Sequence, residues 1–157
     1  MAPPRSEHSE GGKEALRLLS FPHPENRPLR GQHMLGSAHL QTLVWTSDTA
    51  RARAFYTNVL GLEFKRESFG ALVYEVGGGE LRVSPVPSTE PSAHTVLGFA
   101  VENIDEVVDQ LGKQQVVAER FPNFDHDARG VWTAPDGTRI VWFRDPDGNL
   151  LSVVQYA

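Results

Sequence analysis

There is no cysteine among the 157 residues of this chain. That absence excludes disulfides, thiolate nucleophiles, iron–sulfur clusters and cysteine zinc sites, and leaves His, Asp, Glu or Gln to hold any metal. No apolar run approaches the roughly 18 residues needed to cross a bilayer, and the N-terminus lacks the apolar segment of a secretory signal. A cytoplasmic protein with no membrane partner is expected. Nor is there an excess of positive charge. The 15 basic and 20 acidic side chains give a net charge of −5, and the basic ones are scattered, which argues against a nucleic-acid partner. With 39% hydrophobic residues the chain can build one compact core, but two large domains are excluded.

The first 36 residues differ in kind from the rest. They hold five of the eleven prolines (Pro3, Pro4, Pro22, Pro24, Pro28), a Gly11-Gly12 pair and one short helical suggestion, Lys13 to Leu19. Residues 1–36 are expected to form a flexible tail. Glu7, Glu10, Glu14 and Glu25 argue against an organelle-targeting peptide, since those are poor in acids. Met34 is a candidate native start, which would place residues 1–33 outside the native protein.

Residues 38–157 are one pattern written twice. Ala38 to Glu63 and Ala93 to Ala118 each give a strand-like run, a capped amphipathic helix and a second strand-like run, at a constant offset of 55. One such unit cannot bury its own apolar face, so the copies must share a core. In the first, Gln41-Thr42-Leu43-Val44-Trp45 alternates as a strand. Ala52, Phe55, Tyr56, Val59 and Leu60 then fall on one helical stripe, with Asp48 as the N-cap and Gly61 as the left-handed terminator. Strands over Ala71–Val76 and Leu81–Val86 follow, joined at Gly77-Gly78-Gly79.

The second copy repeats the grammar. Thr95 to Val101 is a strand, Ile104, Val107, Val108 and Leu111 form the helical stripe, and Asn103 with Glu106 makes a capping-box start. Gly112 is expected to close that helix. The last hairpin pairs Thr138–Arg144 with Leu150–Tyr156 around Asp145-Pro146-Asp147-Gly148-Asn149. This turn opens like a calcium loop, but it has no flanking helices and no downstream glutamate, so the match is rejected. Aligning the two hairpins raises the offset from 55 to 70, so the second copy carries about 15 extra residues between Arg120 and Arg139. A connection of that length is more often a lid or binding loop than a plain turn.

Ser47-Asp48, Ala54-Phe55-Tyr56, Val59-Leu60-Gly61-Leu62 and Phe143-Arg144-Asp145-Pro146-Asp147-Gly148-Asn149-Leu150 in two βαβββ units resemble the vicinal oxygen chelate superfamily. That group includes glyoxalase I, extradiol dioxygenases, fosfomycin-resistance enzymes and bleomycin-resistance proteins. The resemblance implies an α+β fold of two tandem βαβββ modules forming a cupped mixed sheet with helices on its outer face. A single domain over 37–157 would comprise module one at 38–88, module two at 93–157 and a long loop at 121–137. A homodimer is implied as well. The family's metal, when present, is held at four cup positions, which here carry Gln41, Arg82, Val96 and Ser152. Only Gln41 fits that pattern; valine has no donor, and a guanidinium repels a cation. No cofactor is therefore expected. The remaining route to a divalent Ni, Zn, Mn or Fe site is His39, Gln41 and His94, the two histidines being themselves offset by 55.

The cup so drawn is lined by Gln41, Leu43, Trp45, Arg82, His94, Val96, Ser152 and Val154. Arg82 could grip a carboxylate, phosphate or enolate, or simply pair with a neighbouring acid. Trp45 could stack on a planar ligand or fill core. His126, between Asp125 and Asp127 on the long loop, could act as general base or sit at a solvated tip. Three functions follow. One is a metal-free protein binding an aromatic or apolar small molecule. Another is a metal-free isomerase- or cyclase-type enzyme using Arg82 as electrophile and His94 or His126 as acid/base. The last is a metal-dependent enzyme of the glyoxalase or dioxygenase kind. Residue types at the cup disfavour only the third.

Overall fold

Alternation in β1 (Gln41–Thr46) buries Val44 and Thr46 on one side and leaves Gln41, Leu43 and Trp45 on the other, so the strand has a packed face and an open face. The structure is a computed structural model describing residues 35–36 and 38–157. The expected helical piece at Lys13–Leu19, the alternative start at Met34 and nearly all of the expected tail lie outside the described residues. Contacts divide the chain after Ala38. Of the first unit only a turn is described, in which the Ala38 N–H donates to the Leu35 carbonyl at 3.0 Å.

Within His39–Ala157 the fold is α+β, with two mixed sheets. Module one is ordered β1-β4-β3-β2, where β2 is Glu63–Ser68, β3 Ala71–Val76 and β4 Gly79–Pro85. Module two is ordered β5-β9-β8-β6, with β5 at Thr95–Ala100, β6 at Ala118–Glu119, β8 at Arg139–Arg144 and β9 at Leu150–Gln155. A two-residue strand, β7 (Trp132–Thr133), also pairs with β8. The extra residues of module two therefore interrupt its edge strand. The chain leaves the sheet after Glu119 and returns at Trp132.

Each sheet is covered on one face by the helix of its module. Helix α1 (Thr49–Ala54) starts at Asp48, whose carboxylate accepts from Arg51 N–H, and runs into a π-helical turn, Phe55–Val59. The expected single α-helix is thus an α-helix with a widened last turn, closed by Leu60 N–H to Phe55 O at 3.0 Å. Gly61 takes the left-handed conformation, φ +69°. Helix α2 spans Ile104–Lys113, capped by Asn103. The expectation that Gly112 ends this helix is corrected, since it is internal. The left-handed residue is Gln115, φ 60°. Val116 N–H reaches Leu111 O and Gln115 N–H reaches Gly112 O, both at 3.0 Å, which is a Schellman closure that satisfies the last carbonyls without glycine. Tyr56, Tyr74, Leu72, Leu81, Leu111, Phe143 and Leu151 belong to one continuous core shared by both modules.

The sheets meet along β1 and β5, and the strands run antiparallel there. Leu40 and Thr42 line one crevice with Leu97, Gly98 and Phe99. At the other end, Trp45 O accepts from Asn149 Nδ2 at 2.9 Å, next to Leu150, which pairs with Thr95. The Asp145–Asn149 turn fastens this end. Asp145 Oδ2 accepts from Tyr56 Oη at 2.8 Å and from Asn149 Nδ2 at 2.7 Å. Asp147 accepts from Thr46 Oγ1 and Ser47 Oγ, each at 2.6 Å, and from Ser47 N–H at 2.9 Å. Thr46, Asp145, Asp147 and Asn149 are all buried. Every buried side-chain polar atom among the described residues has a partner, as a low-dielectric interior requires.

Candidate functional site

The face away from the helices is a shallow trough whose floor is made of small side chains. On β5 the buried-side residues are Leu97 and Phe99, so Val96, Gly98 and Ala100 point the other way. Ser152 pairs with Gly98 and Val154 with Ala100. A Cβ placed on Gly98 would stand 3.0 Å from Ser152 Oγ, so the glycine keeps the centre of the floor low. One wall is β1, where Leu43 is 46% and Trp45 48% exposed; Val96 beside them is 40% exposed. The other wall is β8, where Trp142 pairs with Ser152 and Ile140 with Val154.

Module one adds a polar cluster on the same face. Glu80 Oε1 accepts from Gln41 Nε2 at 3.0 Å and from Arg82 Nη1 at 3.3 Å, and its Oε2 accepts from Arg66 Nη2 at 2.7 Å. Arg82 also donates to Ser68 O at 3.2 Å. The Arg66 guanidinium, helped by Gln41 and Arg82, holds Glu80 below the usual carboxylate range against the opposing effect of burial. Two guanidiniums around one carboxylate leave an excess of one positive charge.

The structure gathers Gln41, Leu43, Trp45, Arg82, Val96, Ser152 and Val154 on this open face, with His94 exposed at its edge. It does not bring together His39, Gln41 and His94. His39 precedes the start of β1 and His94 the start of β5, and because these strands are antiparallel the two histidines lie at opposite ends of the seam. Among the described residues there is no group of three or more His, Asp or Glu placed to hold a metal. The four family positions supply an amide bonded to Glu80, a guanidinium, a valine and a hydroxyl. That donor set does not fit a divalent ion. His126 is also committed. Its Nε2 accepts from Phe121 N–H at 3.0 Å, and its Nδ1 lies 2.9 Å from Gly130 O, a pure acceptor. With Nε2 taken up as acceptor and Nδ1 facing a carbonyl, the ring braces the long loop.

The chain belongs to a known family. A model of the Glyoxalase/Bleomycin resistance protein/Dioxygenase superfamily matches residues 32–153. Solved structures agree on the fold. A protein from Bacillus anthracis described as of the glyoxalase family is 22% identical, with a TM-score of 0.62 over 76% of this chain and 94% of that one. A lactoylglutathione lyase from Agrobacterium tumefaciens is 23% identical, TM-score 0.59, covering 76% and 93%. An integron cassette protein from the mobile metagenome of V. cholerae is 24% identical, TM-score 0.56, covering 77% and 96%. No curated protein matches this chain. At these identities the superfamily's architecture carries over and its individual activities do not.

Sequence reasoning passed over several residues of this face. Trp142 was legible, since it alternates with the buried Val141 and Phe143. Glu80 and Arg66 were not, because their meeting depends on strand register. Trp132 and Phe124 were hidden by the interruption of the edge strand. Phe124 stacks on Trp142 with centroids 5.5 Å apart and planes 7° apart, and lies 4.5 Å from Trp132. A separate cavity of about 580 Å³ lies on the helix side, between Val59, Leu60 and Leu62 and the α2 residues Val107, Gln110 and Leu111. It shares no residue with the trough.

Proposed function

We propose that this protein binds an aromatic or apolar small molecule on the trough between its two modules, without a metal. The observation that carries the reading is the exposure of Leu43, Trp45 and Val96 beside a floor kept low by Gly98. A soluble chain rarely leaves contiguous apolar side chains in water without a use for them. Arg82 and Arg66 supply the cationic end, which favours a ligand bearing a carboxylate or another anion. Arg82 is the group that would steady such an anion. The same exposed stripe of Leu43, Trp45 and Val96 suits a homodimer in which a second copy covers part of the trough. Among the described residues no helix is long and apolar enough to cross a membrane. We place the protein in the cytoplasm.

A ligand screen by thermal shift tests this, because a compound that binds the native state raises the melting temperature. Aromatic carboxylates are expected to stabilise the protein, and Ni, Zn, Mn or Fe salts to leave it unmoved. A stoichiometric transition metal in protein purified without chelator would overturn the reading. Recovery of the bound compound unchanged after incubation supports binding over turnover, and appearance of a product would convert the trough into an active site.

A further inference from the structure

On module two's open face the Trp142 wall of the trough continues into an aromatic patch. Trp142 projects from β8 and Trp132 from β7, on the same face because Trp132 pairs with Ile140 and Ile140 alternates with the buried Val141. Their centroids are 6.2 Å apart. Phe124 lies over both rings, nearly parallel to Trp142 and tilted by 37° to Trp132. Phe121 closes the edge, perpendicular to Trp142 at 5.4 Å.

The loop that delivers Phe124 carries more polar bonds at its base than at its tip. Asp127 Oδ1 accepts from Arg129 N–H at 2.8 Å and from Val131 N–H at 2.9 Å. Arg120 donates to Asp127 O and Ala128 O, each at 2.9 Å, and Arg129 is bound to Asp105 and Asp109 on α2. The tip has one turn bond, Phe124 N–H to Phe121 O at 3.1 Å, and the Phe121–His126 bond. The Phe124 ring, 37% exposed, rests on the two indoles and meets Phe121 and His126 edge-on at 6.2 and 6.1 Å.

We propose that Trp132 and Trp142 form a binding subsite for a planar aromatic group, and that Phe124 occupies it as an intramolecular stand-in that the ligand displaces. This rests on the small-molecule reading and extends it. The subsite adjoins the trough through Ser152, the cross-strand neighbour of Trp142, so one molecule can lay its ring on the indoles and its remainder on the floor. Displacing Phe124 reduces the apparent affinity by the fraction of molecules whose tip is open. A phenyl–indole stack is strong enough for that penalty to be about threefold to tenfold.

Titration calorimetry with 2-naphthoate tests the proposal on the full chain. Phe124→Ala is expected to bind about threefold to tenfold more tightly than the parent, Phe124→Leu to fall between them, and Trp142→Leu to lose most of the binding. Thermal melts establish that each variant is folded, and Phe124→Leu serves if the alanine variant is not. Equal or weaker binding by folded Phe124 variants would overturn the stand-in role. If the parent binds 2-naphthoate and only Trp45 or Arg82 variants lose it, the trough reading stands and the subsite falls. If neither the parent nor the Phe124 variants bind it, the planar-aromatic subsite is refuted, whatever other compound the thermal-shift screen finds for the trough.

Discussion

Tyr56 Oη donates to Asp145 Oδ2 across 2.8 Å, joining the first helix of one module to the last hairpin turn of the other with both residues buried. Burial first, and then the Asp145 carboxylate, push the Tyr56 phenol far above its ordinary value, so in the folded protein it remains a neutral donor. The unfolded chain can release that proton above about pH 10. The bond's contribution is thus complete below pH 10 and lost as pH rises beyond it. Tyr56→Phe is expected to lower stability by about 1–3 kcal/mol, by leaving a carboxylate oxygen short of a donor, and to blunt the alkaline loss. Urea melts of both proteins at pH 7 and at alkaline pH check the two effects.

Asp147 governs the acid side. Burial alone would raise its pKa, but hydrogen bonds from Ser47 and Thr46, with Arg51 nearby, outweigh it and hold the carboxyl below its usual range. A depressed carboxylate stabilises the fold above the unfolded value of about 3.9 and loses that contribution as pH falls below it. Asp147→Asn is expected to be less stable at pH 7 by about 1–3 kcal/mol and to show a flatter acid limb. Melting temperature measured down to pH 2 decides this, and an unchanged acid limb would exclude the assignment.

Gly98 tests the trough floor. Its backbone is ordinary extended strand, so valine suits the conformation, and Ser152 Oγ can rotate away from the new Cβ. Gly98→Val is expected to keep the parent stability within about 1 kcal/mol while losing ligand binding through filled volume. Calorimetry beside a thermal melt separates the two, and binding that survives would place the ligand elsewhere.

Glu80 and Arg82 test the charge preference. Glu80→Gln removes the carboxylate shared by Arg66 and Arg82 and is expected to tighten binding of 2-naphthoate but not of neutral 2-naphthamide. Arg82→Ala is expected to weaken the anion about tenfold or more, since a charge-assisted hydrogen bond is lost. Both differences should shrink at high salt. Identical behaviour of the two compounds across these variants would remove the guanidiniums from the site.

The sequence was enough for the architecture because each module is written in local terms. Alternation at Gln41–Trp45, the stripe Ala52-Phe55-Tyr56, the caps Asp48 and Asn103 and the Asp-Gly turn each constrain only a few neighbouring residues, and duplication states the same message twice. It misjudged the end of α2 because a Schellman closure can be built on Gln115 as well as on glycine. It also treated the Asp145–Asn149 turn as a hairpin connection, although Tyr56, Thr46 and Ser47 reach it from about 90–100 residues away.

The expectation of no metal at the cup positions came from residue types alone, since valine and arginine keep their chemistry in any fold. Whether two residues meet is a different matter, set by register and strand direction. His39 and His94 share an offset in sequence, yet antiparallel strands set them at opposite ends of the seam. Glu80 sits between two arginines, and Phe124 on two indoles, only because parallel and antiparallel ladders happen to align them. Tertiary structure therefore decided the content of the trough, for the physical reason that side chains distant in sequence acquire neighbours only when the sheets close.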